Sequence, residues 1–528
     1  MSTIIEKKTR AFQPELTIKR IHNLFDTVTA QLRQRLNATP APMTTAPIRG
    51  LLMSTDQLEQ RIRDLAETHG QVMLGSNTRS LMKLLNQQER VLRQAFKAFS
   101  AEGAQPMATP AAEWLLGNMH VIIDQIREVR QDLPGGYYSE LPKLTQGPQA
   151  GLPRIYALAI ELIEHTDGRL AQEQLVRCVM AYQSKLALSI GEVWAIPIML
   201  RLGLIENLGR LAQLTLDAHR LRIEADSWAN KLLVQRSIAS FQSDPVFVEL
   251  AHLHPQLLLP FVVQLLQNLR GYEGDFDDRA LINWLEQHHS LPYVSVEDLF
   301  KAEQQRQSTN QISVANSITS MRTLNAIDWQ NWFERVSLIE QMLRQDPEGV
   351  YARSTFATRD HYRHKVETLA KRSGLSEDMV ARRLVAAAYN AEQSAQPAFM
   401  RHIGYYLIDQ GREVFEHSIG ARPRPGELLE RMVLKHPTAF YLGGIAMASA
   451  ASMALGRRLV YGEHTLQDGA QQSQQLSTIF MLLPASAIAV ELMNRLVSRI
   501  VKPRVLPRLN LKDGIPEDLR TMVVVPTL

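Results

Sequence analysis

The residues best suited to chemistry are the acidic run Asp275-Phe276-Asp277-Asp278, four histidines and a lone cysteine. Two carboxylates close in sequence can share a divalent ion with a diphosphate, which is how sugar-nucleotide transferases hold their donor. The context favours another role. The run follows Gly271 and Gly274 and precedes the helical pattern Ala280 to Gln287, so capping and first-turn charge account for it. His252 and His254 stand before Pro255, and His288 and His289 end the Ala280 to Gln287 helix. Neither pair has the i, i+4 spacing or the acidic companion that would make ligands converge on a metal, so no metal site is expected. Cys178 lies in the helical run Leu175 to Met180, where it reads as a small buried hydrophobe.

Other groups have a structural and a functional reading. Trp114, Trp194, Trp228, Trp284, Trp329 and Trp332 could stack on sugar rings, but at helical positions they read as core. Arg127, Glu128 and Arg130, and again Arg359, Asp360 and Arg363, could form ion networks; solvated helix faces are expected. The chain contains no zinc-hydrolase His-Glu pattern, phosphate-binding loop, dinucleotide fingerprint or nucleophile elbow. No complete catalytic site is expected, and no residue is assigned a catalytic role.

The elements around these residues are helical, and the fold class expected is mainly α: an irregular helical domain followed by a two-helix transmembrane hairpin. An amphipathic helix is predicted within residues 1–36, with Leu16, Ile18, Ile21, Leu24 and Phe25 on one face. The stretch NATPAPMTTAPI, Asn37 to Ile48, reads as a linker. Beyond it Leu81, Leu85, Leu92, Phe96 and Phe99 make an apolar stripe that Gln88 interrupts and that needs a partner helix. Breaks at Gly103 to Pro110 divide an N-terminal segment, 1–110, from a helical domain, 111–430.

The hairpin, with its basic flank, occupies 431–510. From Thr438 to Gly456 nineteen residues pass without a charge, enough at about 1.5 Å per residue to cross a hydrocarbon core. Gly444, Ala448, Ser452 and Gly456 recur every four residues, a ladder of small side chains that lets a second helix approach. The partner runs from Leu476 to Val490 and on toward Leu496, with Pro484 as a kink and Glu491 paired to Arg495. Arg422, Arg424, Arg431 and Lys435 precede the spans and Arg495, Arg499, Lys502, Arg504, Arg508 and Lys512 follow them, against Arg457 and Arg458 between. Both termini should therefore be cytoplasmic, with membrane lipid as a partner.

At 528 residues the chain exceeds one ordinary core, and its 45% apolar and 21% charged residues suit a folded protein. A net charge of +4, with basic and acidic residues interleaved, argues against nucleic acid as a partner. A single cysteine fits a reducing compartment, and the start MSTIIEKKTRAF has no signal-peptide pattern.

Several runs together resemble the N-terminal part of bacterial cyclic β-1,2-glucan synthases: EWLLGNMHVIIDQIREVRQDLPGGYYSEL from Glu113, PRIYALAIELIEHTDGR from Pro153, LSIGEVWAIPIMLRLGLIENL from Leu188, NSITSMR from Asn316, DPEGVYARSTFATRDHYRH from Asp346 and HIGYYLIDQGR from His402. The likeness extends from about Glu113 through the hairpin to Leu528. It implies an inner-membrane enzyme that polymerises glucose from UDP-glucose on a protein-linked primer, with a divalent metal, and then trims and cyclises the chain. In that frame Thr521 to Thr527, TMVVVPT, resembles the first strand of a transferase domain beginning at about 511. Pro526 and Thr527 are the nucleotide-binding positions it implies, since ligands meet such sheets at strand C-termini. The metal motif and catalytic base would lie beyond Leu528, so the expectation is a truncated or split gene product, inactive alone, whose partner is the missing glycosyltransferase portion. The competing expectation is a membrane-anchored scaffold or interaction protein without sugar chemistry.

Overall fold

Ser54 starts the first of the described helices. Its hydroxyl accepts the Gln57 N–H at 3.3 Å while the Gln57 amide oxygen accepts the Ser54 N–H at 2.9 Å, a reciprocal cap for α1, Thr55–Thr68. The structure, a computed structural model, describes residues 46–75, 80–101, 109–235, 258–270, 295–461, 471–501, 506–512, 514, 515, 517 and 520, without the side chains of 233–235, 457, 460, 461 and 471–479. The helix expected within 1–36, Asp275 to Asp278, the four histidines from His252 to His289, Trp284 and the strand Thr521 to Thr527 lie outside the described residues.

Beyond β1, Val72–Met73, comes α2, Leu81–Phe99, which buries Leu81, Leu85, Gln88, Leu92, Ala95 and Phe99. Ala95 rather than Phe96 continues the expected stripe; Phe96 turns outward and is 39% exposed. Four more helices follow as α3, Pro110–Gly117, α4, Met119–Asp132, α5, Gly135–Glu140, and, after β2, Lys143–Leu144, α6, Arg154–Thr166. The two short strands pair antiparallel, Val72 opposite Leu144. Then come α7, Gln172–Gln183, and the 46-residue α8, Ile190–Gln235, about 69 Å long and continuous through Pro197.

That long helix is the spine of the body. The partner that the α2 stripe requires is α8, and α6 packs on it as well. Gln88 fits on the stripe because Gly209 of α8 faces it, where any Cβ would collide with the Gln88 amide. Farther along, α9, Leu259–Arg270, and the start of α10, Val296–Ala326, enclose a second core around Trp228, Phe261, Leu265 and Val296. The C-terminal half of α10 returns to the main core through Val314, Ile318 and Met321. There it meets the end of α6, where Asp167 and Gly168 take left-handed φ of 49° and 73°. A Cβ on Gly168 would stand 2.8 Å from Ser317 Oγ, and Asn316 Nδ2 donates to the Asp167 carbonyl at 3.2 Å.

The rest of the body is α11, Trp329–Val336, α12, Leu338–Leu343, α13, Val350–Arg353, α14, Phe356–Ser373, α15, Glu377–Gln393, α16, Ile403–Ile408, and α17, Arg412–Ser418. One main core runs from Ile48 to Ala421, drawing on helices from both sides of residue 110. Cys178 is fully buried within it, and burial pushes its thiol up to about 12, as expected for a structural rather than a reactive cysteine. Trp332 is core as read from sequence, and Trp114, Trp194 and Trp329 lie at the core's edge.

The Arg359 and Arg363 face of α14 departs from expectation. It is not solvated: Arg363 and Glu340 are completely buried, with Arg363 Nη1 2.6 Å from Glu340 Oε2. The Tyr351 hydroxyl donates to the same oxygen at 2.5 Å, and Arg344 Nε reaches Glu340 Oε1 at 2.8 Å. Arg359 Nη2 pairs with Glu334 at 2.5 Å. Charged residues can fill an interior when each finds its counter-charge, and a charge-based reading of exposure fails there. Arg127, by contrast, is 71% exposed at its side chain and pairs only locally with Asp124.

From the body α18, Pro425–Lys435, leads into α19, Pro437–Tyr461, and α20, Gln471–Ile500, which pack along each other. The apolar stretches Pro437–Gly456 and Phe480–Ile500 are long enough to cross a membrane. The second lies within α20, which starts before the expected Leu476 and runs on through Pro484; the side chains of 471–479 are outside the description. Met447 and Leu483 are 74% and 75% exposed, so these helices present large apolar side chains outward. After the hairpin the chain returns to the body: Thr355 N–H donates to the Arg508 carbonyl and Asn510 N–H to the Arg353 carbonyl, both at 2.8 Å.

Candidate functional site

A buried ion pair sets the start of α8. Arg154 Nε and Nη2 lie 2.5 and 2.7 Å from the two carboxylate oxygens of Glu192, and Glu192 Oε2 also accepts the Ser189 N–H at 3.0 Å. This pins Ser189, Ile190 and Gly191 as one wall of a cleft of about 600 Å³, within the range of small-molecule sites. The facing wall is α14, whose Phe356, Asp360, His364, Glu367 and Lys371 follow one another by helical steps along a single stripe. Tyr137 of α5 closes one end, its hydroxyl donating to the Gly191 carbonyl at 2.6 Å.

Three aromatic rings line the cleft. Trp194 stacks on Phe333 with centroids 4.6 Å apart and meets Phe356 edge-on at 6.4 Å. The Arg363 guanidinium lies over both Phe333 and Phe356, at 5.0 and 4.9 Å, so the ion network beneath α14 also fixes the cleft's apolar wall. Lys371 ties α14 to the end of α5, with Nζ 2.8 Å from Glu140 and 2.7 Å from Glu367 of its own helix. Glu377 accepts the Ile190 N–H at 2.7 Å. Burial raises its carboxyl to about 7, against the opposing pull of that hydrogen bond.

A second pocket of about 420 Å³ lies beside His402, between Phe399, Tyr405 and Pro507. His402 Nδ1 is 2.7 Å from Asp346 Oδ2, and Asp346 also takes the N–H groups of Ile403 and Tyr351 at 3.0 and 3.2 Å. The carboxylate thus ties the turn before α13 to the start of α16, and the Tyr362 hydroxyl lies 3.4 Å from the other ring nitrogen, His402 Nε2. No group of three or more His, Cys, Asp or Glu residues that could hold a metal occurs among them.

The residues singled out from sequence are scattered. Trp194 and Asp360 line the cleft, whereas Tyr137, His364, Glu367 and Glu377 were not anticipated; the helical spacing of polar residues from Asp360 to Lys371 was the one available signal. In the hairpin, a Cβ on Gly444 would collide with Met493 Cε of α20, and one on Gly456 would lie 3.5 Å from Met481 Sδ. Ala448 and Ser452 are half-buried while Ala446 and Ala450 are exposed. Glu491 Oε1 lies 3.0 Å from an Arg495 guanidinium nitrogen. Pro526 and Thr527 lie outside the described residues.

No protein-family model matches the chain. Among curated proteins it is 32% identical over 488 residues to the cyclic β-(1,2)-glucan synthase NdvB of Rhizobium meliloti (strain 1021). The chain is a distant, partial homologue of a glucan synthase. The match takes in 91% of this chain but 17% of that protein, so the likeness is to one portion of a much larger polypeptide.

Proposed function

We propose that the chain is the membrane-anchored helical portion of a cyclic β-1,2-glucan synthase system, holding its catalytic portion at the bacterial inner membrane. The observation that carries this reading is the 32% identity spread over 91% of the chain. The two long apolar stretches with exposed surfaces support the anchor, and the ten Lys and Arg residues flanking the hairpin, against Arg457 and Arg458, support cytoplasmic chain ends. On this reading the body and the residues after 510 share the cytoplasmic side, and the return of Arg508 to the Arg353–Thr358 region sets where the chain leaves the body. Glucosyl transfer from UDP-glucose then belongs to the catalytic portion, with Pro526 and Thr527 at the end of its first strand. The divalent metal implied by the resemblance finds no ligand cluster among the described residues.

The test is reconstitution in membranes of a bacterium that makes no cyclic glucan. The chain alone transfers no labelled glucose from UDP-glucose; co-expressed with the part of the Rhizobium meliloti synthase that the match does not cover, it restores glucan. No glucan from the pair, with both present in the membrane fraction, overturns the reading. A periplasm-active phosphatase fused near Glu463 should be active and one fused at Leu528 inactive, and the reverse would overturn the orientation.

A further inference from the structure

We infer that the cleft between the start of α8 and α14 is a binding site for a neutral glucan segment, gripped between the rings of Tyr137, Trp194 and Phe356 and the polar stripe of α14. The chemistry of the walls selects the ligand class. Sugar rings present apolar C–H faces that pack on aromatic rings, and hydroxyls around their edges that need both donors and acceptors. The cleft offers both: Asp360, Glu367 and Glu140 supply acceptors, and His364, with the one Lys371 N–H that Glu140 and Glu367 do not take, supplies donors. An anionic ligand such as a nucleoside diphosphate would meet several carboxylates and a single lysine already shared between Glu140 and Glu367. A metal is disfavoured because no group of carboxylates or imidazoles converges there.

The walls are also built to stay in place. One is fixed by the Arg154–Glu192 pair and the Glu377 hydrogen bond to Ile190, the other by the buried Arg363–Glu340 pair, whose guanidinium also holds Asp360 and lies over Phe356. A site formed in advance spares a ligand the cost of ordering it. The volume suits a few hexose units, so the cleft would hold a stretch of chain rather than a whole ring.

The choice of β-1,2-linked glucan as the probe rests on the proposed function; the neutral-sugar assignment rests on the walls. The full chain in lipid nanodiscs is titrated with a β-1,2-linked glucooligosaccharide and separately with UDP-glucose, by calorimetry and saturation-transfer NMR. Binding of the oligosaccharide, weakened about tenfold or more by Glu367→Gln with His364→Ala, is the expected result. Phe356→Leu should weaken it similarly while the thermal unfolding curve shows whether the fold survives. No oligosaccharide binding, or binding that these variants leave unchanged, overturns the inference, and so does UDP-glucose binding that they abolish. The two proposals fail separately. Glucan restored by the cleft variants at the parent rate, with no oligosaccharide bound, removes the cleft and leaves the anchor role; oligosaccharide bound without restoration does the opposite.

Discussion

In the body, from Ile48 to Ala421, even a full charge can disappear from the surface; in the hairpin, large apolar side chains stand outside. Arg363 and Glu340 are wholly buried, while Met447 and Leu483 are about three-quarters exposed. The two regions are therefore held by different forces. The body is driven together by removal of apolar surface from water, which tolerates an interior ion network only because each charge meets a counter-charge. On the proposed reading that α19 and α20 cross a membrane, lipid supplies no such drive between them, so contact depends on how closely the backbones approach. The same class of substitution should thus fail for different reasons in the two regions.

The largest effect is expected at the buried network. Arg363→Ala takes from the Glu340 carboxylate its one fully buried cation, leaving it to Arg344, Arg359 and the Tyr351 hydroxyl, and removes the cation from above Phe333 and Phe356, at a cost of about 3 kcal/mol in denaturant unfolding. The double variant Arg363→Met with Glu340→Leu should recover most of that loss, because neither charge of the pair is then left alone and Arg344 and Arg359 keep Glu334. A single variant that loses under about 1 kcal/mol would mean that Arg344 and Tyr351 satisfy Glu340 by themselves, and the contrast between body and hairpin would weaken.

A smaller effect comes from the cleft, where burial is incomplete. Glu377, raised from 4.5 to about 7, binds more protons in the folded than in the unfolded chain between those values. Its contribution to stability is therefore full below about pH 4.5 and is lost as the pH rises through about 7. Glu377→Gln keeps an acceptor for the Ile190 N–H and cannot ionise. It should match the parent near pH 5 and exceed it by about 1–2 kcal/mol near pH 8, allowing for solvent at the cleft. Parallel stability curves for the two proteins across that interval would remove the raised carboxyl from the account.

These differences also explain what the residue order discloses. A run of nineteen uncharged residues is a local signal, and the small-residue ladder is visible by inspection, because spacing within one helix needs no tertiary information. The α2 stripe was legible for the same reason, apart from Phe96, which stands 39% exposed while Ala95 is buried in its place. On α14 the rule breaks down. Charged residues lie on both the buried and the cleft faces, so hydropathy cannot tell Arg363 from Asp360; only the position of Glu340 does so. The cleft itself joins Ile190 to Glu377 across 187 positions, a pairing that periodicity cannot suggest.

The smallest effect should be in the hairpin, and it tests whether small residues stand in there for hydrophobic drive. Gly444 already faces Met493 so closely that a Cβ would collide with it, and Ala448, one turn on, is half-buried. Ala448→Leu places a branched side chain between the helices where no water-driven gain offsets the separation. The expected loss is about 1 kcal/mol, too small to stop insertion but enough to loosen the pair. Ala450→Leu, on an exposed position, adds apolar surface facing outward and should cost nothing measurable. A cysteine crosslinking scan in a Cys178→Ser background reads this directly: pairs between the ladder positions and α20 should form efficiently in the parent, less so with Ala448→Leu and unchanged with Ala450→Leu. If Ala446 and Ala450 crosslink to α20 as well as Gly444, Ala448 and Ser452 do, the two helices do not meet through the ladder, and their association requires another force.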